Sequence, residues 1–137
     1  MSAAWFADTS WFLAMVAAND VHHQQATARS RQRKLPIITT AWVIAELADR
    51  LAGPPQLRNV FNALLATVRA DPTAEIIGAD DALFQRGIEL YQARRDKEWT
   101  LTDGISFIVL IERGMTEALT ADHHFEQAGF VALLKTS

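Results

Sequence analysis

Short apolar segments alternate along the chain with longer segments in which apolar residues recur every three or four positions. The short segments are β-branched or aromatic and end at polar or turn-forming residues, which is typical of buried strands. We predict strands at residues 3–7, 37–39, 75–78, 118–120 and 131–134. We predict helices at about residues 11–18, 20–34, 40–51, 57–68, 80–97 and 102–111, with a helical turn at 124–127. Because strands and helices alternate, we expect an α/β protein with a parallel sheet covered by helices on both faces.

The composition indicates one globular domain over residues 1–137. Hydrophobic residues make up 50% of the chain and charged residues 21%, which is enough apolar mass for one core. No segment approaches the roughly 18 apolar residues of a membrane span, and residues 1–5 lack the basic region of a signal peptide. The absence of cysteine excludes disulfides and thiolate metal ligands and suits a reducing compartment. We therefore expect a cytoplasmic protein with no membrane segment.

Two basic clusters occur in a chain whose formal net charge is −3. Such a net charge does not indicate a nucleic-acid-binding domain, since those domains are usually basic. The clusters consist of Arg29, Arg31, Arg33 and Lys34, and of Arg94, Arg95 and Lys97. Taken alone, each cluster fits a solvated helix end, where the helix dipole favours cations, or a phosphate-binding surface.

Four carboxylates fall where an α/β sheet binds ligands, beyond the carboxyl ends of its strands. Asp8 ends the first predicted strand and Asp122 closes the fourth. Asp103 begins a helix, a position on the same edge of the layer. Glu46 lies about one and a half turns into the helix that follows the second strand, so its longer side chain can reach back over that edge.

Each acid also has a purely structural interpretation. Asp103 and Asp122 can cap helices, at about 1 kcal/mol each, and Asp8 can act through turn chemistry. Glu46 can pair with Arg50 at i,i+4, which is worth about 0.3–0.5 kcal/mol. As a set, however, converging acids repel one another unless a cation joins them. Oxygen ligands without cysteine favour Mg²⁺ or Mn²⁺, ions that suit phosphodiester chemistry.

Four segments of the chain resemble the PIN-domain ribonucleases, in particular the VapC-type toxins of toxin–antitoxin pairs. Residues 6–10 resemble the family's opening strand with its Asp, and residues 42–47 resemble the helix that carries its Glu. Residues 101–106 resemble the helix start with the third acid, and residues 119–125 resemble the Thr-x-Asp-x-x-Phe element. Residues 129–134 fit the closing strand, so the resemblance covers nearly the whole chain.

The resemblance implies a three-layer α/β/α fold with a short, mostly parallel central sheet of about five strands. It implies that four acids bind one or two Mg²⁺ or Mn²⁺ ions and that a metal-activated water cleaves RNA. Those acids are Asp8, Glu46, Asp103 and Asp122. Thr9, Ser10 and Thr120 would assist by hydrogen-bonding the acids or the phosphate.

The resemblance also implies partners: an RNA substrate, a cognate antitoxin and a second copy of the chain in a homodimer. It turns the basic clusters into candidate contacts for the RNA backbone, namely Arg29, Arg31, Arg33, Lys34, Arg94 and Arg95.

Two positions depart from the family's pattern. Gly104 follows the third acid, where a helix former is more usual, and it weakens the helix start by up to about 1 kcal/mol. His123 and His124 follow the fourth acid. Adjacent helical residues point in different directions, so we expect no metal clamp from this pair and a solvent-facing His123.

Two rival functions require residues that this chain lacks. An aspartate-nucleophile phosphatase needs a second acid where Ser10 stands, and a receiver-like switch domain needs a late lysine, for which only Lys135 is present. Two alternatives with the same fold stay open: an RNA-processing nuclease with no toxin role, and a catalytically silent binding module.

Overall fold

The computed structural model describes residues 3–135, so Met1, Ser2, Thr136 and Ser137 of the predicted domain lie outside the described residues. Within that range the chain forms five strands: β1 (Trp5–Ala7), β2 (Ile37–Thr40), β3 (Ala74–Ile77), β4 (Glu117–Leu119) and β5 (Val131–Ala132). It forms seven α-helices: α1 (Thr9–Val16), α2 (His23–Gln32), α3 (Ala41–Arg50), α4 (Pro55–Ala70), α5 (Asp81–Ala93), α6 (Leu101–Glu112) and α7 (His123–Gln127). A 3-10 turn, Leu133–Lys135, follows β5.

The strands form one sheet in the order β3-β2-β1-β4-β5, and every pair is parallel. The predicted five-stranded α/β architecture is thus confirmed, with a fully parallel sheet in place of a mostly parallel one. The receiver-like alternative is wrong at this level, because receiver domains have the strand order 2-1-3-4-5.

The chain reverses direction across the sheet between β1 and β4. The steps from β1 to β2 and β3 run toward one edge, and the steps from β3 to β4 and β5 run toward the other. Since crossovers between parallel strands are almost always right-handed, α1–α4 cover one face and α5–α7 cover the other. The switch point therefore lies between the neighbouring strands β1 and β4, at their carboxyl ends, where open α/β sheets bind ligands.

Aromatic packing fixes the last helix onto the sheet near this switch point. Phe125 of α7 is fully buried, with ring centroids 6.4 Å from Phe6 of β1 and 5.0 Å from Phe107 of α6. The Phe107 contact is edge-on, at 87°, an arrangement that aromatic pairs prefer. These three rings hold α7 and α6 in a fixed position beside the end of β1.

Several element boundaries differ from the predicted ones. Helix α4 begins at Pro55, because a proline fits the first turn of a helix, so the predicted Gly-Pro-Pro stop also starts the next element. The predicted last strand ends early at Ala132, since the Leu134 N–H turns to bond the Thr120 carbonyl (3.2 Å) and the chain buries Leu133 and Leu134.

Helices α5 and α6 approach closely at a glycine. Gly87 is buried, and a Cβ atom added there would lie 2.3 Å from Cγ1 of Ile105. Gly104, the departure noted in the sequence, is also buried and faces the Gly87 carbonyl, at 3.4 Å from its own ideal Cβ position. Within residues 3–135 no helix combines the length and the apolar character needed to cross a membrane.

Candidate active site

A pocket of about 390 Å³ opens at the carboxyl edge of the sheet, at the switch point between β1 and β4. Asp8 directly follows β1, and Asp122 stands three residues after β4. Asp103 comes from the first turn of α6 and Glu46 from the middle of α3. The structure therefore brings all four predicted acids to the wall of one pocket.

Asp8 is oriented by two of the hydroxyl groups predicted to assist it. Its Oδ2 accepts hydrogen bonds from Thr120 Oγ1 at 2.8 Å and from Ser10 Oγ at 3.1 Å. The same hydroxyl oxygens accept the backbone N–H groups of Asp122 (3.0 Å) and Ala121 (3.1 Å). The network ties the loop after β4 to the first turn of α1 and gives the Asp8 carboxylate one orientation.

Burial raises the pKa of Asp8 to about 6, because a buried carboxylate loses the hydration that favours its charged form. The negative charge of Asp103 raises that pKa further, and the hydrogen bonds from Thr120 and Ser10 oppose both effects. Asp8 occupies the N-cap position of α1, yet its side chain makes no capping bond. Helix capping therefore does not account for this acid.

Asp103 is both a structural and a pocket-lining residue. It forms a capping box with Thr100, in which the Thr100 N–H donates to Asp103 Oδ2 and the Asp103 N–H donates to Thr100 Oγ1, each at 3.0 Å. Burial raises the pKa of the Asp103 carboxyl, and the neighbouring charge of Asp122 adds to that effect. The capping interpretation is correct here, and it engages only Oδ2.

His124 is a site residue that the sequence interpretation missed. Its Nδ1 lies 2.9 Å from Asp103 Oδ2 and 3.4 Å from Asp122 Oδ1, and only 16% of its side chain is exposed. Because an ionised carboxylate only accepts hydrogen bonds, Nδ1 donates to Asp103. Two consecutive histidines gave no signal of which ring would turn inward, since that depends on where the short helix α7 packs.

Asp122 caps α7, accepting a hydrogen bond from the His124 N–H at 2.9 Å on Oδ1. The capping interpretation is therefore correct for this acid as well. Its side chain remains 31% exposed in the pocket wall, so capping and a place in the site coexist. A carboxylate has two oxygens and several lone pairs, which is why one group can serve both purposes.

Glu46 lacks the ion-pair partner that the sequence suggested. In the described part of the chain it forms no ion pair with Arg50, although both residues line the pocket. The predicted i,i+4 pair is absent among residues 3–135. Glu46 is half-buried, and it lines the same pocket as the other three acids.

The third predicted helper, Thr9, has a buried hydroxyl oxygen without a hydrogen-bond partner among the described residues. Thr9 also lines the pocket. A buried hydroxyl left unpaired costs free energy, so Thr9 Oγ1 is suited to a ligand or an ordered water at this position. Together with the converging carboxylates, this unpaired group fits a site that binds a hard divalent cation and its oxygen ligands.

The tightest cluster of potential ligand atoms is a different one. Within the described range, ligand atoms of Asp122, His123 and His124 all lie within 4.8 Å of one another. The expectation that the two histidines point apart is wrong, because both sit at the start of α7 and their ring centroids are 4.4 Å apart. The His123 side chain is 65% exposed, as expected. Nitrogen ligands favour transition metals over Mg²⁺.

The first basic cluster lies away from the pocket. Arg33 forms an ion pair with Asp71 at 2.5 Å and donates to the Leu35 carbonyl, which places it at the amino ends of the strands. Arg29 packs over the Trp5 ring at 5.6 Å, at the same edge. Arg31 and Lys34 are exposed. None of these four predicted RNA contacts lines the acidic pocket.

The second basic cluster is a neighbour of the pocket. Arg94 and Arg95 line an adjoining cavity that shares Thr100 with the acidic pocket. Arg94 forms two hydrogen bonds with Asp96, each at 3.0 Å, and the pair is solvent-exposed. The two predicted clusters therefore differ in position: one is on the far edge of the sheet and one is beside the acids.

Fold and site together define an α/β protein with an acidic pocket at the switch point of a short parallel sheet, the architecture implied by the PIN-domain resemblance. No protein-family model matches the chain, and no curated protein matches its sequence. Solved structures do match. VapC20 from Mycobacterium tuberculosis, described as a sarcin-ricin loop cleaving toxin, superposes with a TM-score of 0.82 at 24% identity, over 92% of this chain and 95% of that chain.

FitAcB from Neisseria gonorrhoeae superposes with a TM-score of 0.63 at 18% identity, covering 93% of this chain and 94% of that chain. These similarities confirm the predicted fold: the chain has the fold of a VapC toxin. At such identities the comparison concerns architecture, and activity has to be argued from the site.

Proposed function

We propose that this protein is a Mg²⁺- or Mn²⁺-dependent endoribonuclease that acts as the toxin of a toxin–antitoxin pair. The observation that supports it best is the convergence of Asp8, Glu46, Asp103 and Asp122 on one pocket at the switch point of a VapC fold. The pKa values of Asp8 and Asp103 are raised by burial and by neighbouring acids, as expected where a cation would offset their charge.

In this proposal, neighbouring side chains of the protein hold two of the acids in place. Thr120 and Ser10 hold Asp8, while Thr100 and His124 hold Oδ2 of Asp103 and leave its other oxygen to the pocket. When bound, Mg²⁺ or Mn²⁺ would supply Lewis acidity and neutralise charge at an RNA phosphodiester.

Glu46 completes the acidic set in the lining of the pocket. The unpaired hydroxyl of Thr9 is buried and is suited to an internal water. With Asp8 titrating near a pKa of about 6, its ionised form predominates at neutral pH even before a cation binds.

RNA as the substrate rests on the fold together with the acids, since VapC20 is described as a loop-cleaving toxin. A cognate antitoxin and a homodimeric assembly belong to the same proposal, and RNA cleavage would place the protein in the cytoplasm. An acidic pocket attracts RNA only through bound cations, so activity is expected to require added metal.

The test compares wild type with Asp8→Asn, which keeps the size of the side chain and one acceptor oxygen but removes the charge, and with the exposed control Asp49→Asn. Each is induced in a host without the antitoxin, and each purified protein is incubated with total RNA and Mn²⁺. Wild type and Asp49→Asn are expected to arrest growth and cleave RNA, with EDTA abolishing cleavage. Asp8→Asn is expected to lose cleavage at least a hundredfold and to permit growth.

The alternatives give different results in the same experiment. Metal-dependent cleavage without growth arrest would support an RNA-processing nuclease. A wild type that binds RNA but cleaves none with Mn²⁺ would support the silent binding module. Equal activity of wild type and Asp8→Asn would contradict the proposed site.

A further inference from the structure

A second cavity of about 580 Å³ adjoins the acidic pocket. The two share Thr100, the capping residue that holds Asp103, and Gly104 lines the second cavity one residue beyond that acid. A volume of this size is within the range of small-molecule and cofactor sites. Anything bound in the second cavity therefore lies next to the acids.

The lining of the second cavity carries an excess of positive charge in a chain whose formal net charge is −3. Arg94, Arg95 and Lys97 line it against one acid, Glu98. Arg94 pairs with Asp96, whereas Arg95 and Lys97 form no ion pair within residues 3–135. Arg95 and Lys97 thus bring positive charge to a cavity beside a strongly acidic one.

Aromatic groups complete this lining. Tyr91 is 50% exposed at the cavity wall, which leaves its ring free to stack on a flat group. Trp99 is 7% exposed and its indole N–H donates to Gln127 at 3.0 Å, so it forms a wall and no stacking surface. Arg94 covers the Trp99 ring at 5.0 Å. One exposed ring next to two free cations is the combination that binds single-stranded nucleic acid.

Lys97 also connects the second cavity to a third. It lines a cavity of about 310 Å³ together with His123 and His124. His124 in turn belongs to the acidic pocket. The three cavities are therefore neighbours near the start of α7, and Lys97 lines two of them.

We propose that the second cavity binds one nucleotide of a single-stranded RNA, adjacent to the phosphodiester held at the acids; this inference rests on the proposed ribonuclease function. Arg95 and Lys97 bind the phosphates that flank the nucleotide, and Tyr91 stacks on its base. A base that is paired in a duplex cannot reach the ring, so the nucleotide bound at Tyr91 must be unpaired.

The test measures binding of a fluorescein-labelled, unstructured RNA ten-mer by fluorescence anisotropy in EDTA, where it is not cleaved. The first variant is Arg95→Ala/Lys97→Ala. Its matched control is Arg31→Ala/Lys34→Ala, which removes the same charge from the cluster on the far edge of the sheet. We expect the first variant to bind at least tenfold more weakly and its log–log salt slope to fall by about 1.4, while the control stays within twofold of wild type.

Tyr91 gives an independent readout. Tyr91→Ala is expected to weaken binding about fivefold or more, since a base–aromatic stack contributes at least that much. Tyr91→Phe keeps the ring and should bind within twofold of wild type. None of the altered side chains is fully buried, so each variant is expected to unfold at a temperature close to that of wild type. A thermal unfolding measurement on each variant checks that the fold is kept.

Three outcomes would overturn the subsite. If the control variant loses as much affinity as Arg95→Ala/Lys97→Ala, RNA binding depends only on the total charge of the protein. A fluorescein-labelled ten-residue polyglutamate binding as tightly as the RNA, with the same dependence on Arg95 and Lys97, would identify an acidic-peptide site. If wild type cleaves RNA and Arg95→Ala/Lys97→Ala binds RNA as tightly as wild type, the subsite alone is rejected. If wild type neither binds nor cleaves RNA, the proposed function is rejected too.

Discussion

The Asp8 carboxylate is buried among groups that cannot fully replace water, and its ionisation therefore destabilises the metal-free fold. Its pKa is raised to about 6, mainly by burial, from the 3.8 of an exposed aspartate. Between those pH values the native state holds a proton that the unfolded state has released. The contribution to stability is therefore complete below about pH 4 and is lost as pH rises through 6.

Replacing this group with a neutral isostere should stabilise the metal-free protein. We expect Asp8→Asn to unfold with a free energy roughly 2–3 kcal/mol larger than wild type at pH 7.5, converging toward wild type near pH 4. Urea unfolding in EDTA at both pH values measures this. Asp49→Asn, at an exposed position, should show no such pH-dependent gain, and an equal gain there would contradict the assignment to burial.

The His124 contact predicts a specific effect on metal affinity. Because its ring holds Asp103 Oδ2, His124→Ala should weaken Mn²⁺ binding about tenfold or more, as loss of an outer hydrogen bond does at other metal sites. Isothermal titration calorimetry measures the affinity. His123→Ala is the control, since that side chain is 65% exposed, and it should bind Mn²⁺ like wild type.

The two histidine variants also separate two models of the metal site. If both lose affinity to the same extent, the ion sits in the Asp122, His123 and His124 cluster. If only His124→Ala does, the ion sits among the carboxylates. Glu46→Gln should then weaken binding as well, although it lies outside that cluster.

At the scale of the elements, the contact between α5 and α6 has little tolerance. Gly87→Ala places a Cβ atom 2.3 Å from Cγ1 of Ile105, so the helices must separate, at a cost of about 1–3 kcal/mol. Urea unfolding should detect this loss. Gly78→Ala is the matched control, because no atom lies within 4 Å of its Cβ position, and it should leave stability nearly unchanged.

The elements were predictable wherever local pattern decides them. Helix α3 begins where Thr40 accepts a hydrogen bond from the Val43 N–H, as the sequence indicated. Helix α6 begins at Leu101, one residue before its predicted start, with Thr100 as the N-cap; the sequence indicated Asp103 as the capping residue, and its side chain takes part in the capping box. The early end of β5 could not be predicted, since it depends on the distant carbonyl of Thr120.

The same division holds for the site. Asp8 and Asp122 follow from strand ends alone. The inward turn of His124 and the unpaired state of Glu46 depend on how α7 and α3 pack against α6. The use of Arg33 was hidden because its partner, Asp71, is 38 residues away. Side-chain direction in a long-range contact is information that local pattern does not contain.

For the molecule as a whole, cation binding should couple to folding. A ligand that binds only the native state stabilises it by about 2.7 kcal/mol at a hundredfold excess over Kd. We expect Mn²⁺ to raise the thermal unfolding midpoint of wild type by several degrees, measured by calorimetry. Asp8→Asn/Asp103→Asn should show little rise, and an equal rise in this double variant would place the bound ion elsewhere.

The hydrogen bond from Thr120 to Asp8 spans 112 positions of the chain. A ribosome that has translated everything up to α6 has made a polypeptide without β4, the strand that pairs with β1 beside the pocket. The acids can be assembled only after residues 117–124 have emerged. Products terminated before residue 117 therefore lack a formed pocket, and the site assembles only after nearly the whole chain has been translated.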